Sequence, residues 1–239
     1  MKKYLFIALF SFYSLVVSSQ VTITPSSFNV TDAITITVSF PNTTCNTMGT
    51  NPTKVYMHAG IGDDTNAFGY TVVGNWGADD SVGLMTNNGN GTWSKTITPS
   101  SYFGLNATQQ ADASKLGLVF RNAAGSQTLK LGAQSCSDFI FNVGLFQVSL
   151  ITPAINSSTI INSGGSITVQ ASNTNQTANY NLKANGVSIN SASNVSSYSF
   201  THTNITENQS YVLEISQGIY MRTKKFYALL NPGTISQAL

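Results

Sequence analysis

Apolar and polar residues alternate with a period of two through most of this chain, and a helical period is almost absent. Ile34-Thr35-Ile36-Thr37-Val38-Ser39-Phe40 sends Ile, Ile, Val and Phe to one face and Thr, Thr and Ser to the other. Val21 to Thr24, Val55 to His58, Val82 to Met85, Thr92 to Ile97, Leu116 to Phe120 and Asp138 to Val143 read the same way. Asn87-Asn88-Gly89-Asn90-Gly91 is a tight-turn signal that joins the strands on either side of it into a hairpin. One short helix is expected around Ala107 to Ser114. About seven strands in roughly 125 residues predict an immunoglobulin-like β-sandwich over residues 20–144.

Gly144 reads as a seam, because the alternating pattern restarts beyond it. Phe146 to Leu150, Ile167 to Val169, Tyr198 to Phe200, Tyr211 to Ile215 and Thr223 to Ala228 are the next strands. Tyr180 to Lys183 and Val187 to Ile189 flank Ala184-Asn185-Gly186 as a second hairpin. These predict a smaller sandwich over residues 145–228, in which Tyr180, Tyr198, Phe200 and Tyr211 serve core or corner packing. Tyr211 stands where such folds place a corner tyrosine that ties a loop to its strand. Residues 229–239 read as a linker or the truncated start of a further domain, so the chain is expected to be a fragment of a longer protein. The fold class predicted is all-β: two consecutive immunoglobulin-like β-sandwich domains after a signal peptide.

The signal peptide is residues 1–19. Lys2 and Lys3 precede a mostly apolar stretch from Tyr4 to Val17, and Ser18 and Ser19 supply small residues for cleavage, leaving Gln20 at the new terminus. The apolar stretch is shorter than a membrane span needs, so the mature protein is expected to be secreted, with no membrane insertion. Cys45 and Cys136 are the two cysteines. In an oxidising compartment an even pair reads as a disulfide, with two free thiols as the alternative. Charged residues are only 8% of the chain and the net charge is +2. That leaves no electrostatic footprint for nucleic acid.

Catalysis finds little support. A glycosidase needs two carboxylates facing each other on a rigid scaffold, whereas Asp63-Asp64 and Asp79-Asp80 are neighbours in glycine-rich loops. His58 and His202 fall in different domains, and neither has a nucleophile nearby. No catalytic residue and no cofactor is therefore expected within this chain. Calcium is the one ion to consider, held by Asp63, Asp64 and Asn66 or by Asp79 and Asp80, against solvated turn aspartates as the plainer reading. The aromatics lead elsewhere. Tyr56 and His58 share a strand face opposite Val55 and Met57, and Tyr70 and Trp76 sit in a long loop dense in glycine. Flat rings beside amide and guanidinium groups suit a neutral polyol, and Arg121 and Asn122 end a nearby strand. Trp93 shares a face with Ile97 and is expected in the core.

Lys54-Val55-Tyr56-Met57-His58-Ala59-Gly60, Trp76, Met85, Gly89-Asn90-Gly91-Thr92-Trp93 and Leu118-Val119-Phe120-Arg121-Asn122, in that order, resemble starch-binding-type carbohydrate-binding modules. The region is similar to the non-catalytic N-terminal part of secreted bacterial α-amylase-family proteins, and to outer-membrane starch-binding proteins of starch-utilisation systems. The resemblance covers roughly residues 21–143; residues 145–228 resemble only the generic spacer that comes next in such chains. It implies an α-glucan partner held by Tyr56 and Trp76, with Arg121 and Asn122 beside them; Tyr70 and His58 join the candidate contacts from the reading of the strand and loop above. It also implies a catalytic domain in cis, beyond this chain. A long insert with four aspartates around Trp76 departs from the family pattern. The alternative is a structural spacer or adhesin-like module without a sugar ligand.

Overall fold

The computed structural model describes residues 20–132, 134–173 and 176–232. The signal peptide and most of the expected linker lie outside the described residues. The chain forms two β-sandwiches in succession, each of two packed sheets. Among the described residues no helix is long and apolar enough to cross a membrane.

In the first sandwich the strands are β1 (Val21–Thr24), β2 (Ile34–Ser39), β3 (Tyr56–Gly62), β4 (Thr71–Val73), β5 (Thr86–Asn87) and β6 (Thr92–Ile97). Two short helices come next, α1 (Pro99–Tyr102) and α2 (Ala107–Asp112), then β7 (Lys115–Arg121), β8 (Thr128–Leu129) and β9 (Phe139–Asn142). One sheet runs β1-β2-β6-β5; the other runs β4-β3-β7-β8, with β9 beside the first half of β7. The period-two pattern works as expected: Ile34, Ile36 and Val38 are buried against Met57, Ala59 and Ile61 of β3 and Leu116, Leu118 and Phe120 of β7. Trp93 belongs to the same core. Strand β5 is shorter and later than the sequence suggests, because Leu84 bridges Tyr56 and Met85 bonds back to Val55 instead.

The second sandwich holds β10 (Val148–Thr152), β11 (Ser158–Ile161), β12 (Gly165–Asn173), β13 (Ala178–Ala184) and β14 (Val187–Val195). It continues through β15 (Ser197–Ile205), β16 (Gln209–Gln217) and β17 (Tyr220–Leu230). Sheet β10-β12-β15 packs on sheet β11-β17-β16-β13-β14, and β11 joins β17 in parallel. The β13–β14 turn places Asn185 at φ 48° and Gly186 at φ 84°, the left-handed pair that a two-residue hairpin needs. Two expectations change here. Residues 229 and 230 are strand, since β11 pairs with them. Tyr211 makes no corner bond to upstream backbone: its ring stacks on Phe226 at 4.9 Å and its hydroxyl meets His202 Nδ1 at 2.7 Å on the opposing sheet.

Where the sandwiches meet, Gly144 (φ 75°) turns the chain and α2 lies against β17. Arg222 and Lys224 are both buried there, because alternate residues of β17 face inward. Arg222 donates to the carbonyls of Phe146 (3.1 Å) and Ala111 (2.8 Å), and Lys224 pairs with Asp64. Lys115 reaches the same carboxylate at 3.1 Å. Burial works to raise the Asp64 pKa, but Lys224 and then Lys115 outweigh it and hold the carboxyl below its ordinary value. Asp112, by contrast, is raised by burial, with Tyr70 and Arg222 drawing it only partly back.

A disulfide joins Cys45 to Cys136, with Cα atoms 5.3 Å apart and a sequence separation of 91. Chain entropy for a loop of that size predicts that Cys45→Ser with Cys136→Ser lowers stability by about 4.6 kcal/mol at most. Urea melts of the oxidised protein and the double variant check this; equal midpoints would show that the bridge adds nothing.

The junction has an acid signature. With its pKa depressed, Asp64 contributes fully above the ordinary carboxylate value of about 4, and that contribution is lost as the pH falls through the lower folded-state value. Asp112 gives the opposite slope, so the comparison of wild type with Asp64→Asn isolates Asp64. We expect the difference in melting temperature between them to shrink as the pH is lowered from 6 to 3. A constant difference would remove Asp64 from the junction's energetics.

Candidate functional site

Strand β3 alternates, yet both of its faces are covered. Met57, Ala59 and Ile61 point to the core, and Tyr56, His58, Gly60 and Gly62 face outward. The long insert after β3 does not project into solvent; it folds back over that outer face. Its second half leaves β4, crosses β3 and reaches the turn after β7. There Gly77 approaches Ala124, and Trp76 lies against Gly125 so closely that a Cβ on Gly125 would sit 2.8 Å from Nε1.

Arg121 holds that loop in place. It is wholly buried, and its guanidinium donates to the carbonyls of Asn122 (2.9 Å), Ala123 (2.9 Å), Ala78 (3.1 Å) and Asn75. It thereby ties the carbonyls on either side of Trp76 to the turn after β7. The guanidinium lies 4.6 Å from the centre of the Tyr56 ring, its register partner across the β3–β7 ladder. The Tyr56 hydroxyl donates to Asp79, which also pairs with Lys54. Burial, and then the Asp79 carboxylate, raise the Tyr56 phenol above its usual pKa.

Three expected contact residues therefore have other work. Tyr56 has no exposed surface, because the loop and Arg121 cover it; it cannot stack on a ligand. Arg121 is consumed by backbone carbonyls. Tyr70 is half-buried against the core and donates its hydroxyl to Asp112 at the junction, away from Trp76. Burial, then Asp112, push its phenol pKa well up. The remaining three stay available in part. Trp76 is 51% exposed and meets His58 edge to face, ring centres 5.1 Å apart. His58 Nδ1 bonds the Gly74 carbonyl at 2.8 Å, so that nitrogen carries a hydrogen. The Asn122 amide donates to Ser126 and Gln127, beside a groove of about 450 Å³ lined by Asn51, Lys54, Asn122 and Gln127.

Of the loop aspartates, Asp79 and Asp80 are exposed and Asp63 caps its own turn, as solvated turn carboxylates do; Asp64 alone departs from that reading. Asp63 accepts from the backbone of Thr65 and Asn66, and Asp64 pairs with two lysines. Asp80 accepts from Asn75 and from the backbone N–H of Val82. Among the described residues no group of three or more His, Cys, Asp or Glu side chains stands together to hold a metal ion. Sequence reasoning missed Phe68, which lies on the outer face beside His58. The signal was there: Gly60 and Gly117 are outward positions on paired strands with no side chain of their own.

Residues 21–129 match the sequence family described as "Domain of unknown function (DUF8578)". A comparison with curated protein sequences gives no match. Among solved structures, a chimeric titin Z1Z2-Z1Z2 tandem is similar at 10% identity and TM-score 0.32, covering 86% of this chain and 94% of that one. The fibronectin(III)-like modules of Clostridium thermocellum CbhA give 12% identity and TM-score 0.31, over 92% of this chain and all of that one. Salmonella alpha-2-macroglobulin gives 9% identity and TM-score 0.44, over 87% of this chain and 16% of that one. Such loose likenesses carry no argument about function; the immunoglobulin-like class rests on the strand order above.

Replacing Arg121 with Met should leave several carbonyls unpaired and cost at least about 2 kcal/mol, since each buried unsatisfied group costs roughly 1–3 kcal/mol. In a Trp93→Phe background, Trp76 fluorescence should then shift to the red and become easier to quench with acrylamide. An unchanged spectrum would mean that Arg121 does not hold the loop.

Proposed function

We propose that the first sandwich is a non-catalytic α-glucan-binding module of an exported protein, and that the second is a spacer leading to a catalytic domain of amylase type. One observation carries the reading: Trp76 is half exposed yet fixed, its loop tied down through Arg121 and its ring set against His58 and the bare backbone of Gly125. Core packing does not explain a large apolar ring left in water, and a loop ring with no ligand has no need of such anchoring. An immobilised indole loses little freedom on binding, which favours affinity. The disulfide fits an oxidising, extracellular compartment, and the resemblance of residues 54–122 to starch-binding modules supplies the ligand class.

A spacer without a sugar ligand is the second reading. The junction favours it, because buried Arg222 and Lys224 tie the two sandwiches together as a rigid pair would require.

Titration with maltooligosaccharides separates the two. Trp76→Ala should weaken binding by roughly 1–3 kcal/mol, the scale of aromatic contact residues, while the melting temperature barely changes. Trp93→Ala should do the reverse, costing about 3–5 kcal/mol of stability as a buried ring. Absence of binding by the wild type would leave the spacer reading standing, and unchanged affinity in Trp76→Ala would move the site away from Trp76.

A further inference from the structure

The outer face of sheet β4-β3-β7-β9 has a gap at its centre, where Gly60 and Gly117 are register partners. Phe68 fills it. A Cβ built on Gly60 would sit 2.2 Å from Phe68 Cδ1, and one on Gly117 would sit 2.4 Å from Cε2. Opposite edges of one ring thus touch both glycines, so the ring lies flat on the sheet with its underside packed on backbone. The residue as a whole is part-buried, so some of the ring side chain remains open to solvent. Val72 and Ile140, the outward register partners on either side, are 45% and 49% exposed.

One register step along is His58, whose ring plane lies within 22° of that of Phe68, with centres 6.5 Å apart. Trp76 stands next to His58 at a right angle, 5.1 Å on. The three rings follow one another in a line, Phe68 and His58 near-parallel and Trp76 turned at a right angle at its end, with spacing comparable to the length of one pyranose unit. At its borders Asp79 pairs with Lys54, and Asp64 with Lys115 and Lys224, while Asp63 and Asp80 accept only from backbone and amide N–H groups. An apolar face of this kind marks an interaction site.

We infer that Phe68 is the second stacking ring of the site, in the role expected of Tyr56, and that the strip Trp76–His58–Phe68 takes consecutive units of a neutral glucan chain. The inference rests on the reading of Trp76 under Proposed function. The chemistry is that of C–H faces of pyranose rings against aromatic faces, with the sugar hydroxyl edges left to water. Gly60 and Gly117 are positioning residues: they set the height of the Phe68 ring, and any side chain there would lift it.

The test is affinity as a function of oligosaccharide length, measured by calorimetry on the full chain. Wild type should bind maltohexaose at least about tenfold more tightly than maltose, because only the longer chain spans from Trp76 to Phe68; such a step is about 1.4 kcal/mol. Phe68→Leu, which keeps apolar cover on the glycines but removes the flat ring, should bind maltose as wild type does and lose the length-dependent gain. Gly117→Ala should lose the same gain with every ring still present, and Trp76→Ala should lose both. Full length dependence in Phe68→Leu, alongside weakened binding in Trp76→Ala, would overturn the strip and leave the Trp76 reading intact. No binding of either sugar by wild type would overturn both. If wild type self-associates, and Phe68→Leu abolishes this without changing glucan affinity, the face is a surface for a second copy and the inference fails.

Discussion

A cation buried among backbone carbonyls organises the first sandwich. Desolvating a guanidinium is costly unless its donors are filled, and Arg121 fills those of both terminal nitrogens with carbonyls of two loops that are distant in sequence, leaving Nε buried without a partner. The turn after β7 is short and the Trp76 loop is rich in glycine. Removing the guanidinium from water is tolerable only if both loops stay in place, so a single side chain makes their positions interdependent. Tyr56 completes the arrangement by giving the cation an aromatic face on one side and by holding Asp79 on the other. The exposed indole of Trp76 is a consequence of this buried chemistry.

The second sandwich depends on the first through the same kind of contact. Inward positions of β17 carry Arg222 and Lys224 where it meets its neighbour, then Phe226 and Ala228 where it enters its own core. The strand therefore changes from polar to apolar along one face. Its first half belongs to the junction and its second half to the sandwich. The opposed pKa directions of Asp64 and Asp112 come from this geometry: one carboxylate faces two lysines, whereas the other, at the end of α2, is buried and shares a tyrosine and an arginine.

Much of this was readable from residue order. Alternation in Ile34 to Phe40 has one meaning on a half-buried strand, and Trp93 sits opposite a predictable core face. The paired cysteines needed only one partner each. Alternation misleads at Tyr56, because period two says which residues share a face but not what covers that face. The cover comes from an insert whose sequence shows glycines and aspartates without any period. The same limit hid Phe68: its position depends on what Gly60 and Gly117 lack, and an empty position speaks only once two strands are known to be neighbours. The inward charges of β17 look like ordinary solvated residues until a second domain is set against them.

The parallel pairing of β11 with β17 has a mechanical meaning. Among the described residues all other neighbours in this fold are antiparallel, and those joined as hairpins open one bond at a time when a strand end is pulled away. Residues 158–161 and 227–230 run in the same direction, side by side, and β16 flanks the other edge of β17 along most of its length. Tension carried through Leu230 along the axis of β17 would load the two ladders in shear, so that many hydrogen bonds share the force at once. A sandwich closed in this way can transmit pull from one of its ends to the other without unzipping from its last strand.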